Sequence, residues 1–258
     1  MSPWANRFFM SIQDLAIELT APMPLVLNAT ALFLDLDGTL APIAARPQDV
    51  APDPRRTRLL GQLTHRLGGR LAVVSGRTLE DIDRILEGCV VPVAAVHGLV
   101  LRDPRGRVTA TPAHPGLTRA MQDLRAFAAR DPGLIVEEKG LSAALHYRQA
   151  AHHGEDARTC AREIAGRTGL ALQEGDMVEE LRTPGPSKAD SVRAFMALAP
   201  FAGAAPVFVG DDTTDEDGFE AAQALGGMGV AVGDHRAIHA RYRLPSVEAA
   251  LAWLEAAL

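Results

Sequence analysis

The sequence predicts an α/β protein: a parallel sheet with crossover helices, into which a smaller α+β unit is inserted. Short apolar runs recur along the chain, and each ends at Gly or at polar residues, as strands buried on both faces do. Segments with helical periodicity separate several of these runs, and strands that alternate with helices build parallel sheets. Between residues 109 and 184 the order changes to helix, two strands, helix, two strands, which is typical of an α+β unit.

The candidate strands of the parallel sheet are short apolar runs that end at polar or Gly residues. They are ALFLDLDG from residue 31, RLAVVSGR from 70, VVPVAAVHG from 90, PVFVGDD from 206 and GVAVG from 229. Apolar residues recur at helical spacing in residues 53–67, 78–87 and 187–199, which are the candidate crossover helices. At the start of the second helix, Thr78 and Asp81 resemble a capping box.

The insert is expected to form a cap over the core. It reads as a helix at 116–130, strands LIVEE and SAALHYR, a helix at about 154–168, and strands LALQE and MVEELR. The predicted division of the chain is an N-terminal extension at 1–28, a core at 29–108 and 186–258, and a cap at 109–185. Within the extension, Ile12, Leu15 and Leu19 have the spacing of a short peripheral helix.

Composition excludes several classes of protein. Hydrophobic residues make up 47% of the 258 residues, so a packed core is expected, and the net charge of −6 argues against nucleic acid as a partner. No run of 18 apolar residues predicts a membrane span, and Gln13, Asp14 and Glu18 break the apolar start, unlike a signal peptide. Cys89 and Cys160 lack disulfide or zinc spacing. We therefore expect a cytoplasmic protein.

Two acidic clusters follow apolar strands. Asp35 and Asp37 begin on one side of the first strand end, because residues i and i+2 of an extended segment point the same way. Asp211, Asp212 and Asp215 follow a later strand, and open α/β sheets bind ligands at the carboxyl ends of their strands. Two acidic strand ends converge around a cation, and carboxylate ligands favour Mg²⁺. For any single Asp, a helix cap is the alternative.

Four segments, taken in order, resemble the four motifs of the haloacid dehalogenase superfamily. They are DLDGTL, VVSGR, Lys188 before an amphipathic helix, and GDDTTDED, which together span residues 35 to 215. The resemblance implies a Rossmann-like core with an inserted cap, and phosphoryl transfer through an aspartyl-phosphate. It makes Asp35 the nucleophile, and Asp37 first the acid that protonates the leaving oxygen and then the base that activates water.

The same resemblance implies a metal site and a phosphate site. Asp35, the backbone carbonyl of Asp37 and Asp211 would hold Mg²⁺, which offsets charge repulsion during attack on a phosphate. Asp215 would support either the metal or the lysine of the third motif. The metal ligands would therefore come from both acidic strand ends.

Two residues of the middle motifs are expected to bind the transferring phosphoryl oxygens. The resemblance implies this role for Ser75, which follows an apolar strand, and for Lys188, which precedes a helix. A plain turn residue is the alternative for Ser75, which precedes Gly76. A solvated helix lysine is the alternative for Lys188.

The cap sequence resembles one family within this superfamily. The segment VEEKGLSAALHYRQA, the later EELRTPGPSK and the full GDDTTDEDGF are similar to trehalose-6-phosphate phosphatases, and the likeness covers roughly residues 30 to 235. It implies Mg²⁺-dependent hydrolysis of trehalose 6-phosphate to trehalose and phosphate, with coupling to a trehalose-phosphate synthase as a further expectation. The alternatives are the same chemistry on sucrose or mannosylglycerate phosphates, and a non-catalytic sugar-phosphate sensor.

Sugar recognition needs charged groups that bond hydroxyls in pairs. The candidate substrate-binding residues are Arg77, His97, Glu137, Lys139, His146, Arg148 and Glu180. His146 and Arg148 alternate along a strand, so an exposed face of the cap sheet is their alternative. Glu179 and Glu180 are ambiguous as a pair, and Glu180 is chosen on the family pattern.

Overall fold

The computed structural model of the protein describes residues 19–235 and 237–258. The expected peripheral helix on Ile12, Leu15 and Leu19 begins outside these residues. Among the helices that are described, none has the length and apolar character needed to cross a membrane. Cys89 and Cys160 carry free thiols and are partly buried.

Strands and helices alternate along most of the chain. The strands are β1 (Thr30–Leu34), β2 (Leu71–Val74), β3 (Val93–Ala95), β4 (Val100–Arg102), β5 (Val108–Ala110), β6 (Ile135–Glu138), β7 (Ser142–His146), β8 (Ala171–Gly175), β9 (Val178–Arg182), β10 (Ala205–Gly210), β11 (Met228–Val232) and β12 (Tyr242–Leu244). The α-helices are α1 (Pro54–Arg66), α2 (Leu79–Leu86), α3 (Leu117–Ala128), α4 (Gly154–Thr168), α5 (Lys188–Met196), α6 (Glu216–Ala224) and α7 (Val247–Glu255). Short 3₁₀ turns lie at Pro47–Asp49, Val96–Gly98, Arg148–His153 and Thr213–Asp215.

The large sheet has the strand order β12-β11-β10-β1-β2-β3-β4-β5. Its strands are parallel from β12 to β3, so the predicted α/β fold is confirmed, and the predicted apolar runs supply β1, β2, β3, β10 and β11. The hairpin of β4 and β5 is antiparallel and extends one edge. Sequence periodicity did not reveal this hairpin, because its strands are three residues long and β5 is exposed.

The central strand β1 shows why both faces of this sheet are covered. All five residues of TALFL are buried. Leu32 and Leu34 belong to the hydrophobic cluster on one face, whereas Ala31 and Phe33 belong to the cluster on the other, as the two-residue period of a strand requires. Residues of α1, α2 and α7 complete the first cluster, and residues of α5 and α6 complete the second.

A second, antiparallel sheet has the order β6-β7-β9-β8. One face carries its own hydrophobic cluster, to which α3 and α4 contribute. Ala143, Leu145 and Leu181 lie in that cluster, so the alternate residues Ala144 and Glu180, which are register partners, lie on the opposite face. The sheet thus has an apolar side under its helices and a polar side that is free to form a site.

The expected division at residue 109 needs an adjustment. β5 extends to Ala110 and pairs with β4 within the large sheet, so residues 109 and 110 belong to the core and not to the cap. The returning link, residues 183–187, lies beside the outgoing one, since a Cβ on Gly185 would lie 3.4 Å from Thr111. We propose residues 111–185 as the cap.

Candidate active site

The candidate active site is a cleft between the strand ends of the large sheet and the polar face of the small one. Its volume is about 180 Å³. Asp35 follows β1, Ser75 follows β2, His97 follows β3 and Asp211 follows β10, so adjacent parallel strands deliver these side chains to one edge. Glu180 on β9 lines the opposite wall.

A buried lysine joins two aspartates at the floor of the cleft. The Lys188 ammonium donates to Asp35 Oδ1 at 2.8 Å and to Asp215 Oδ1 at 2.6 Å, and all three side chains are buried. Lys188 is the first residue of α5, whose start is fixed by a capping box between Ser187 and Asp190. Burial disfavours the charged ammonium, but the attraction of the Asp215 and Asp35 carboxylates is larger, so the pKa of Lys188 is raised. Lys188 is therefore a charged, immobile donor.

Carboxylates outnumber cations at this floor. Oxygens of Asp35, Asp211 and Asp215 lie within 4.8 Å of one another. Burial, and then the neighbouring charge of Asp35, raise the pKa of Asp211 to about 9, and burial raises the pKa of Asp35 as well. Such crowding is relieved by a cation, so this oxygen-only donor set fits a divalent metal ion.

Glycine is required where the two acidic strand ends meet. Gly38 has φ of +76°, and a Cβ there would lie 1.9 Å from Asp211 Oδ2. The next residue, Thr39, is buried, and its hydroxyl donates to Asp211 Oδ1 at 3.4 Å. The Gly-Thr pair after the first strand therefore brings the backbone and one hydroxyl against the second acidic cluster.

Asp37 is held by an arginine rather than by the lysine. Arg77 donates to both Asp37 oxygens, from Nε at 2.6 Å and from Nη2 at 2.8 Å, and its Nη1 donates to the Pro47 carbonyl at 2.9 Å. The Ser75 hydroxyl accepts the backbone N–H of Arg77 at 3.3 Å. Arg77 was expected to contact substrate, whereas here it orients the proposed acid/base; a direct substrate contact stays a prediction.

Across the cleft, Glu180 is buried, and each of its carboxyl oxygens accepts a hydrogen bond. Lys139 Nζ donates to its Oε2 at 2.7 Å, and the Ser142 hydroxyl donates to its Oε1 at 2.6 Å. Burial opposes the charge on Glu180, but Lys139 and His97 together hold its pKa well below the usual range. Burial likewise opposes the charge on Lys139, and Glu180 and Glu137 raise its pKa. This wall therefore carries a stable carboxylate and a stable ammonium.

The remaining cap residues form two separate pairs along the cleft. His146 Nε2 lies 2.8 Å from Glu137 Oε2. Burial raises the pKa of Glu137, but His146 and Lys139 outweigh it and the pKa is lowered. Arg148 pairs with Asp176 at 2.8 Å nearer the surface.

His97 links the two walls and sits on strained backbone. Its Nε2 lies 3.4 Å from Glu180 Oε2, and a Cβ on Gly76 would lie 2.4 Å from that nitrogen. Val96 and His97 have φ of 48° and 56°, in the left-handed region that a β-branched residue avoids. Burial lowers the pKa of His97 despite the nearby carboxylate, so the ring is neutral at pH 7. Backbone strain at a site residue is typical of functional positions.

The structure brings the sequence-derived candidates together. Those that line the cleft are Asp35, Asp37, Ser75, Arg77, His97, Glu137, Lys139, His146, Arg148, Glu180, Lys188 and Asp211. Asp215 lies just behind, with Oδ2 accepting the backbone N–H groups of Asp211 and Asp212. Sequence reasoning missed Ser142, and strand alternation from Glu180 across the β7–β9 pair was the signal that could have located it.

Comparison with known proteins agrees with this geometry. The trehalose-phosphatase family model matches residues 33–248. The trehalose-6-phosphate phosphatase of Escherichia coli (strain K12) is 39% identical over 227 residues, which cover 87% of this chain and 85% of the relative.

Solved structures share the architecture. A trehalose-6-phosphate phosphatase related protein is 28% identical, with a TM-score of 0.73 over 87% of this chain and 95% of the other. A phosphatase of the haloalkanoate (HAD) enzyme superfamily from Bacteroides thetaiotaomicron is 16% identical, with a TM-score of 0.58 over 88% and 94% of the two chains. The core sheet with its inserted cap is thus the fold of these phosphatases.

Proposed function

The chain belongs to the trehalose-phosphatase family and is a phosphatase, and from this premise we propose that it hydrolyses trehalose 6-phosphate to trehalose and phosphate. The observation that carries the proposal is the pairing of two unlike clusters across one cleft. The side of the cleft formed by Asp35, Asp211, Asp215 and Lys188, the core wall, has more carboxylates than cations, which suits a metal and a phosphate. The opposite side, the cap wall, has Glu180 and Lys139 fixed by their mutual contact, which suits the hydroxyl groups of a sugar.

Mg²⁺ is the proposed cation. Asp35, Asp211 and the backbone carbonyl of Asp37 would hold it. Asp215 would support the site indirectly, because it accepts hydrogen bonds from Lys188 and from the backbone N–H of Asp211. When bound, Mg²⁺ would offset the repulsion between the phosphoryl oxygens and the attacking carboxylate.

The proposed reaction has two displacements at phosphorus. A carboxylate oxygen of Asp35 attacks the phosphorus, the bond to the sugar oxygen breaks, and Asp37 gives its proton to that oxygen. Water then attacks the aspartyl-phosphate, Asp37 takes a proton from it, and Asp35 leaves as phosphate is formed. Lys188, already 2.8 Å from Asp35, and the Ser75 hydroxyl stabilise the transferring oxygens.

Arg77 orients Asp37 in this scheme. It donates to both carboxyl oxygens of Asp37, from Nε at 2.6 Å and from Nη2 at 2.8 Å, so the acid/base is held at one place on the cleft wall. Arg77 therefore acts as a positioning residue for the two displacements.

The experiment that tests the proposal is phosphate release from trehalose 6-phosphate with Mg²⁺. Asp35→Asn is the inactive control, and sucrose 6-phosphate, a mannosylglycerate phosphate and p-nitrophenyl phosphate are run beside it. We expect selective release from trehalose 6-phosphate that disappears in Asp35→Asn. Release from another sugar phosphate would overturn the substrate, and release from none would favour a sugar-phosphate sensor.

Two wider expectations stay predictions. Coupling to a trehalose-phosphate synthase predicts that a synthase co-purifies with the chain at native levels. A cytoplasmic location predicts that the chain appears in the cytoplasmic fraction of its own cells.

A further inference from the structure

A second group of metal-type ligands lies on the cap, away from the cleft. Asp131 follows α3, and His152 and His153 end the 3₁₀ turn that precedes α4. One ligand atom from each residue lies within 4.8 Å of the other two. None of these residues lines the active cleft, so the proposed hydrolysis does not use them.

The spacing of this group matches metal coordination better than hydrogen bonding. Asp131 Oδ2 lies 3.4 Å from His152 Nε2 and 3.6 Å from His153 Nε2, both beyond the usual 2.7–3.2 Å of a hydrogen bond. Zn²⁺ binds imidazole nitrogen at about 2.0–2.1 Å, and the edge of a tetrahedron with such bonds is about 3.4 Å. The two separations from Asp131 are therefore close to those of neighbouring ligands around one small ion.

The surrounding contacts fix two of the three ligands. The backbone N–H of Gly133 donates to Asp131 Oδ1 at 2.7 Å, which leaves Oδ2 to face the histidines. His153 packs edge-on against Phe127, with the ring centroids 6.4 Å apart.

We propose that Asp131, His152 and His153 form a second metal site, selective for a borderline divalent ion such as Zn²⁺ and completed by water. Imidazole nitrogens favour Zn²⁺, Ni²⁺ and Cu²⁺ over Mg²⁺, whereas the oxygen-only cluster at Asp35 favours Mg²⁺. The two sites of one chain therefore differ in the ions that they select. This inference is independent of the sugar phosphate that the enzyme hydrolyses.

The site has a structural role. It ties the loop after α3 to the 3₁₀ turn before α4, and a Cβ on Gly133 would lie 2.7 Å from the Gln149 carbonyl, so the two segments already pack closely. The same turn places the Gln149 side chain against the Ala45 carbonyl of the core at 3.3 Å. A bound ion would stiffen this turn and raise the melting temperature of the protein.

Calorimetric titration of the untagged protein with Zn²⁺, in excess Mg²⁺, tests the proposal. Asp131→Asn and His153→Ala are the test variants, and His65→Ala, which removes an exposed histidine of α1, is the matched control. We expect one equivalent of Zn²⁺ for the native protein and the control, and at least tenfold weaker binding for both test variants. At a hundredfold excess over Kd, Zn²⁺ should raise Tm by about 5 °C in the native protein only.

A spectroscopic measurement separates this site from the carboxylate cluster. Co²⁺ in a tetrahedral nitrogen–oxygen site absorbs visible light more strongly than in an octahedral oxygen site, so the absorption should disappear in Asp131→Asn. That variant keeps an acceptor for Gly133, and its Tm in EDTA shows whether it folds. Unchanged Zn²⁺ binding in the test variants, or none by the native protein in excess Mg²⁺, would overturn the proposal and leave an ordinary surface ion pair.

Discussion

The two walls of the cleft differ in how their buried carboxylates are compensated. On the core wall, burial and mutual repulsion raise the pKa values of Asp35 and Asp211, so the cluster is incomplete without a cation. On the cap wall, Lys139 and His97 outweigh burial and lower the pKa of Glu180, so the cluster is complete within the chain. We propose that the first arrangement serves the phosphate chemistry and that the second serves recognition of the sugar.

The largest expected effect comes from breaking the core wall. Asp211→Asn removes one proposed metal ligand, and we expect kcat/KM to fall on the order of 10³-fold for trehalose 6-phosphate and p-nitrophenyl phosphate alike, because the phosphate chemistry is common to both. Asp217→Asn, on the exposed side of α6, is the matched control and should change neither rate. A loss confined to the sugar ester would contradict the separation of roles between the walls.

A substitution in the cap wall should instead affect the two substrates differently, lowering kcat/KM for the sugar ester but not for p-nitrophenyl phosphate. Lys139→Met leaves Glu180 buried without its main counter-charge, and losing one member of a buried charged pair costs about 2–5 kcal/mol. We expect kcat/KM for trehalose 6-phosphate to fall on the order of 10²-fold, while p-nitrophenyl phosphate turnover stays within about threefold. Steady-state kinetics on both esters measures the split.

Arg125→Met is the control for that variant, since Arg125 pairs with Glu138 on the exposed surface of the cap. It should leave both rates unchanged. Equal losses on both esters in Lys139→Met would show that Lys139 serves the whole site rather than the sugar.

A smaller effect is expected from a substitution of Ser142, which acts on the site only through its hydrogen bond to Glu180. Its hydroxyl donates to Glu180 Oε1 at 2.6 Å, and a hydrogen bond to a charged group contributes about 1.5–3 kcal/mol. Ser142→Ala should therefore lower kcat/KM for trehalose 6-phosphate by about tenfold, mainly through KM. Ser142→Thr keeps the hydroxyl and should recover most of the activity. If both variants were equally impaired, packing would explain the effect better than the hydrogen bond.

Ser142 also marks the limit of what the sequence could predict. Asp35 and Asp211 were predictable because each follows an apolar strand, and parallel strands place their carboxyl ends at one edge. Glu180 and Ser142 are 38 positions apart and meet only through the register of β9 on β7, which no local pattern specifies. Local patterns thus located the core wall and the family resemblance located the charged residues of the cap wall, whereas Ser142 required the pairing of β7 with β9.

Two further features were beyond sequence reasoning for the same physical cause. The bidentate contact of Arg77 with Asp37 depends on how two neighbouring strand ends are spaced in the sheet. The antiparallel β4–β5 hairpin extends the sheet edge through β4, whose Val100 and Leu101 pack against the core, whereas β5 is exposed. Both interactions depend on neighbouring strands of the core sheet.

The smallest expected effect concerns His97, which joins the two walls. Since burial lowers its pKa, the folded chain binds a proton at His97 less readily than the unfolded chain, where histidine titrates near pH 6.5. Stability from this residue is present above about pH 6.5 and is lost as the pH falls toward the lower folded pKa, with a slope of at most about 1.4 kcal/mol per pH unit.

His97→Gln keeps a donor for Glu180 and removes the titration. Urea unfolding at pH 7.5 and 5.5 should therefore show the free energy of unfolding falling less in the variant than in the native protein, and His65→Gln should match the native protein at both pH values. A parallel fall in the native protein and in His97→Gln would show that folding does not lower the pKa of His97, so the acid sensitivity would come from other groups.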